Sequence, residues 1–92
     1  MNSQKSERIV VIGDYVARMG KTEGAARVYN RNWSHTIPRG DLDLTLATYE
    51  MLASDLGLES KERRHYEGAA GAVRVLISLM GGDRPAAPQI GR

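Results

Sequence analysis

Residues 8–19 read RIVVIGDYVARM, and the conformation of this stretch determines the fold class of the whole chain. Apolar residues recur there at the spacings of three and four that mark one helical face: Ile9, Ile12, Val16 and Met19. Residues 9–12 are all β-branched, so they also suit a buried strand. Because the apolar face continues through Met19, we interpret the stretch as a helix ended by Gly20, with the strand as the alternative.

The residues that follow predict three more helices. Residues 23–33 suit a short helix with Ala and Val on its inner face. Residues 34–40 contain a Pro and a Gly and read as a loop. Residues 41–56 carry the clearest helical period in the chain, beginning at a capping Asp. A final helix begins at Ser60 and is ended by a pair of glycines, Gly81 and Gly82.

These segments predict an all-α protein with two short N-terminal helices followed by a long antiparallel helical hairpin. Residues 1–82 are expected to form a single domain, and residues 83–92 a disordered tail. A chain of 92 residues buries only roughly 60–65% of its unfolded surface. It has no cysteine to add a disulfide, so we expect a homodimer.

Small side chains are concentrated in the last predicted helix. Residues 68–72 read Gly-Ala-Ala-Gly-Ala. A glycine in a helix interior costs about 1 kcal/mol relative to alanine. The run therefore predicts a compensating close approach between this helix and another one.

Charge is segregated along the chain. Residues 41–59 hold five acids and no Lys or Arg, whereas residues 1–40 hold seven basic residues and three acids. Residues 60–92 hold six basic residues and three acids. This pattern favours pairing of the segments within or between subunits and leaves basic surface for a partner.

Motifs for catalysis, metals or membranes are weak. Six residues separate Gly13 from the sequence Gly20-Lys21-Thr22, where a phosphate-binding loop needs four. His35 and His65 have no partner at ligand spacing, and no Cys completes a metal site. No apolar run approaches the roughly 20 residues that cross a bilayer. We expect a cytoplasmic protein that is not an enzyme, has no cofactor or metal, and makes no membrane contact.

A helix-turn-helix over residues 14–33 is one functional interpretation. In this pattern the first helix is apolar, Gly20 forms the turn, and the second helix packs inward. Its exposed face would carry residue types that reach phosphates and base edges: Lys21, Arg27, Asn30 and Arg31. This alternative makes the protein a DNA-binding transcriptional regulator.

A second interpretation starts from the two C-terminal helices. The stretches Pro38-Arg39-Gly40-Asp41-Leu42-Asp43 and Val75-Leu76-Ile77-Ser78-Leu79-Met80-Gly81 resemble the TraM type of quorum-sensing antiactivator. The resemblance covers residues 38–81 and implies a small all-helical dimer that inhibits a LuxR-type transcription factor by direct binding.

The residues themselves also support protein binding, since an isolated helical hairpin leaves one apolar face uncovered. We therefore predict a non-enzymatic regulator that binds another protein, plausibly an antiactivator that sequesters a transcription factor. Its predicted contact residues lie on the last helix: Val73, Leu76, Ile77 and Met80.

Overall fold

The protein has an α+β fold. The computed structural model describes residues 7–20 and 24–80. In chain order its elements are β1 (Arg8–Ile12), β2 (Tyr15–Met19), β3 (Ala25–Asn30), β4 (Trp33–Pro38), a 3-10 turn (Arg39–Asp41), α1 (Leu42–Ala53) and α2 (Ser60–Leu79). The strands form one antiparallel sheet in the order β1-β2-β3-β4. The predicted all-α class is therefore wrong.

The first predicted helix is instead the β1–β2 hairpin. Ile12 pairs with Tyr15 across a two-residue loop. Gly13 in that loop has a φ of 59°, as the first loop position of a type II′ hairpin turn requires. The buried residues alternate along both strands, at Val10, Ala17 and Met19. The β-branched run of residues 9–12 was therefore the correct signal, and the helical spacing was coincidental.

The prediction of a second helix is also wrong, and so is the helix-turn-helix that depended on it. Residues 24–33 form β3, a two-residue turn and the first residue of β4. Ala26 and Val28 are buried two residues apart, which is the period of a strand. In the turn, the backbone N–H of Asn32 donates to Oδ1 of Asn30 at 2.9 Å. The predicted loop of residues 34–40 contains most of β4.

The two C-terminal helices exist, but they do not form an independent hairpin. Both pack on the same face of the sheet, which we call the inner face: α2 contacts β1, β2 and β3, and α1 contacts α2 and β4. Helix α1 ends at Ala53, three residues before the predicted end. Glu50 of α1 accepts an ion-paired hydrogen bond from Arg74 of α2 at 2.6 Å. The sheet therefore covers the apolar face that would be exposed in an isolated helical hairpin.

The run of small residues in α2 allows this helix to lie close to the sheet. Ala69, Ala70 and Ala72 are fully buried in the single core cluster. A Cβ atom on Gly68 would lie 2.4 Å from Cε1 of Tyr15 in β2. At Gly68 the close approach predicted from residues 68–72 is therefore made to a strand side chain, and α2 also packs against α1.

Candidate functional site: the outer sheet face and the aromatic cleft

The outer face of the sheet is the side opposite the two described helices. The register places its side chains in two rows that run across the four strands. One row is Ile9, Arg18, Arg27 and Thr36, and the other is Val11, Val16, Tyr29 and Ser34. Ile9 is 53% exposed and Val11 is 68% exposed. An apolar strip on the β1 side therefore lies beside a polar and basic region on β2, β3 and β4.

Two arginines and a tyrosine form the centre of this face. The guanidinium of Arg27 lies 5.4 Å from the centroid of the Tyr29 ring, within the range of a cation–π contact. Arg18 is ion-paired with Glu7, and hydrogen bonds to Glu7 and Tyr29 raise the pKa of its guanidinium. The three side chains therefore support one another on the sheet surface and present positive charge beside an aromatic ring.

A shallow groove of about 450 Å³ lies at the basic end of the outer face. The residues that line it are Glu7, Arg18, Gly24, Ala25, Arg27 and Thr36. The groove offers the Arg27 guanidinium and the Thr36 hydroxyl to an acidic side chain of a partner, beside an Arg18 guanidinium that is ion-paired with Glu7. Charge-assisted hydrogen bonds of this kind are stronger than neutral ones.

A second feature lies on the inner face, where six aromatic and imidazole rings meet at one end of the domain. We call it the aromatic cluster, and it consists of Tyr15, Trp33, His35, Tyr49, His65 and Tyr66. Trp33 is central, with its ring centroid 4.5 Å from that of His65 in a perpendicular arrangement. The Tyr15 hydroxyl and Nδ1 of His65 are hydrogen-bonded at 2.7 Å, and the Tyr49 hydroxyl is hydrogen-bonded to Nδ1 of His35. The cluster ties β2 and β4 to both helices.

An open cleft of about 700 Å³ lies over this cluster. Tyr15, Trp33, His65 and Tyr66 contribute its aromatic side. Its rim is polar and of mixed charge: Asn30, Asn32, Glu59, Lys61, Glu62 and Arg64. Among the residues that the structure describes, no group of three or more His, Asp or Glu side chains is arranged to hold a metal ion.

Burial changes the acidity of the cluster. It lowers the pKa of His65 and raises the pKa of Tyr15. It also raises the pKa of Tyr49 to about 12, with a smaller contribution from Tyr66. Burial therefore favours the uncharged form of the His65 imidazole, and the tautomer of the ring decides whether its Nδ1 accepts from the Tyr15 hydroxyl or donates to it.

We expect His65 to make the stability of the protein depend on pH. Because the folded-state pKa lies below the usual value of 6.5, the unfolded chain binds this proton more readily than the folded chain does. The free energy of unfolding should therefore be largest above pH 6.5 and fall as the pH drops through that value. Urea unfolding between about pH 7.5 and about pH 5 tests this for the wild type and His65→Gln. Equal pH slopes for the two proteins would contradict the assignment.

The sequence-predicted protein contacts are mostly core residues. Val73 and Leu76 are 1% exposed and Met80 is 5% exposed, and the partly buried Ile77 packs against the same cluster. They face the sheet, because β1 to β3 cover this side of α2. These four residues do not form an open surface in the folded domain.

The sequence-predicted nucleic-acid contacts are dispersed. Arg27 is on the outer face, Asn30 lines the aromatic cleft, and Arg31 is exposed in the β3–β4 turn. Lys21 lies outside the described residues. The structure brings Arg27 together with Arg18 and Tyr29 instead. Strand alternation in residues 25–30 was the signal that could have found this group.

The fold and surfaces together define a class: a small two-layer α+β domain with an exposed sheet face. No protein-family model, curated protein or solved structure matches this chain. The two described helices are too short or too polar to cross a membrane. The resemblance of residues 38–81 to TraM-type antiactivators stays a prediction, but the all-helical architecture that it implied is not the one observed.

Proposed function

We propose that this protein is a small non-enzymatic regulator that binds another protein directly through the outer face of its sheet. The observation that carries the proposal is the exposed apolar strip of β1 beside Arg18, Arg27 and Tyr29. Aromatic and arginine side chains are enriched at protein interfaces, where a few of them supply most of the binding energy.

The electrostatics favour a partner with an acidic surface. The described part of the sheet layer, residues 7–20 and 24–39, contains five arginines and only two acidic residues. Residues 40–80 hold seven acids and four basic residues. The described sheet layer is thus net positive, whereas the negative charge of the helix layer lies in residues 41–59, which hold five acids and no Lys or Arg, so an acidic partner is attracted to the sheet side of the molecule. The resemblance to TraM-type antiactivators supports a transcription factor as the class of partner.

The proposal is tested by crosslinking in the native cells and quantitative mass spectrometry of the captured proteins. The test protein carries the double substitution Ile9→Thr/Val11→Thr, which we call the β1 variant. It removes apolar contact area but keeps β-branched side chains at both positions. The matched control is Leu44→Gln/Met51→Gln, which changes two residues of α1 that are 67% and 63% exposed. We expect the control to capture the same specific partner as the wild type and the β1 variant to lose it. Equal capture by both variants would contradict binding through the outer face.

Nucleic-acid binding through the same face is the second candidate, favoured by the excess of arginines in the sheet layer. Binding of a labelled duplex or single strand is measured by fluorescence anisotropy at two salt concentrations. If about three phosphates are contacted, the affinity between about 50 and 200 mM salt should fall about 40-fold for the duplex and about 20-fold for the single strand. Arg18→Gln/Arg27→Gln should then abolish binding, whereas Ile9→Thr/Val11→Thr should have little effect. The absence of salt-dependent binding would rule this candidate out.

A further inference from the structure

The exposed edge of β1 carries an inference that goes beyond the proposed function, although both involve the exposed residues Ile9 and Val11. Within residues 7–20 and 24–80, β1 has a strand neighbour on one side only, because it pairs with β2 and occupies the end of the sheet. It is also the most apolar edge of the described sheet: Ile9, Val11 and Ile12 are 53%, 68% and 37% exposed. An apolar edge strand of this kind is a template for pairing with another chain.

The hairpin register identifies which backbone groups point to this edge. Ile12 and Tyr15 close a two-residue loop, so they form a hydrogen-bonded pair. Hydrogen-bonded pairs then alternate along the hairpin, at Val10 with Ala17 and at Arg8 with Met19. The N–H and C=O groups of Ile9 and Val11 therefore point away from β2, toward the edge.

We propose that two copies of the protein pair through their β1 strands in an antiparallel arrangement, which joins two four-stranded sheets into one of eight strands. Val10 of one copy lies opposite Val10 of the other, and Ile9 lies opposite Val11. In this register the two edge-pointing residues of each strand make four hydrogen bonds across the two-fold axis. On the outer face, the exposed Ile9 and Val11 side chains become cross-strand neighbours.

A second copy fits this edge better than an unrelated strand does. The strand is self-complementary, because its three central residues are uncharged and Arg8 of each copy lies opposite the apolar Ile12 of the other. Antiparallel β1–β1 pairing also closes after two copies. Pairing of β1 with β4 would instead continue into an open array, and Pro38 at the end of β4 lacks the N–H that a ladder needs.

The expected dimer is weak and reversible. The contact joins strands of only five residues, so it falls below the roughly 1,200 Å² of a stable interface. We expect a dissociation constant on the order of 10 μM. Sedimentation velocity over about 1 to 300 μM covers the transition.

A pair of matched variants tests the register. Ile9→Glu/Val11→Glu places like charges opposite one another across the two-fold axis, and we expect a monomer at all concentrations. Ile9→Glu/Val11→Lys places opposite charges there, and we expect the dimer to persist with no more than about a tenfold loss of affinity. The two variants differ only at position 11, and circular dichroism checks that both are folded.

A wild type that stays monomeric over the whole range would overturn the proposal. A dimer that persists in Ile9→Glu/Val11→Glu would place the interface elsewhere, and a monomeric Ile9→Glu/Val11→Lys would reject the register. Amide hydrogen exchange of the wild type tests the same contact without substitutions. The Ile9 and Val11 amides should become protected as the concentration rises, and unchanged exchange in a sample shown to be dimeric would also overturn the proposal.

Discussion

Leu76→Ala is expected to lower the free energy of unfolding by about 2–5 kcal/mol, because truncating a buried leucine removes apolar contact and leaves a cavity. Leu76 is 1% exposed and lies in the core between α2 and the sheet. A domain of this size has a total stability of only about 5–15 kcal/mol. The variant should therefore lose a large part of its stability and, at physiological temperature, much of its folded population.

The measurement is urea unfolding followed by the fluorescence of Trp33, the only tryptophan in the chain. Leu79→Ala is the matched control, since this leucine is three residues away in the same helix but 47% exposed. Its cost should stay below about 1 kcal/mol. If Leu76→Ala kept wild-type stability but lost partner binding, the original interpretation of Leu76 as a contact residue would be right and its assignment to the core wrong.

Gly68→Ala and Gly71→Ala are expected to change stability in opposite directions. The new Cβ at position 68 would lie 2.4 Å from Cε1 of Tyr15, so the ring must move. That movement disturbs the 2.7 Å hydrogen bond to His65, and overpacking of this kind costs about 1–3 kcal/mol. The better helix propensity of alanine offsets about 1 kcal/mol of this cost. A net loss of up to about 2 kcal/mol remains.

Gly71 is the control on the same helix. A Cβ there meets no atom within 4 Å, so alanine should raise the free energy of unfolding by up to about 1 kcal/mol. Thermal and urea unfolding of both variants measure the difference. In a Tyr15→Ala background the cost of Gly68→Ala should disappear, because the clashing ring is gone. Equal effects of the two glycine substitutions would show that α2 does not approach Tyr15 as closely as described.

The two histidines belong to the part of the candidate site that could not be predicted from the sequence. His35 and His65 are 30 residues apart in the chain, and neither has a partner at a recognisable spacing. The fold brings both into the aromatic cluster around Trp33. Each is hydrogen-bonded there to a tyrosine, Tyr49 and Tyr15 respectively. Contacts of this kind depend on how strands and helices are stacked, which no local pattern encodes.

The helices were predictable because their signals are local. Residues 42–53 and 60–79 repeat their apolar residues with the helical period over three or more turns, which is typical of amphipathic helices. The segregation of charge along the chain is likewise a property of the sequence. In the structure the described strands carry a net positive charge, and the acidic segment of residues 41–59 contains α1.

Tertiary contacts determine that the N-terminal segment forms strands and not a helix. Residues 8–19 satisfy both a helical spacing and a strand alternation, since apolar residues stand at Ile9, Val10, Ile12, Val16, Ala17 and Met19. Propensity separates the two conformations by only a few tenths of a kcal/mol per residue. Two effects outweigh that difference. β1 pairs with β2 and β2 pairs with β3. The side chains of Val10, Ala17 and Met19 are buried in the core against α2. By itself the sequence determined the two long helices, the charge pattern and the small-residue run. Only the long-range packing of α2 on β1, β2 and β3 decided that the segments Arg8–Ile12, Tyr15–Met19 and Ala25–Asn30 are strands, because the energy that selects the strands comes from contacts between residues that are distant in the sequence.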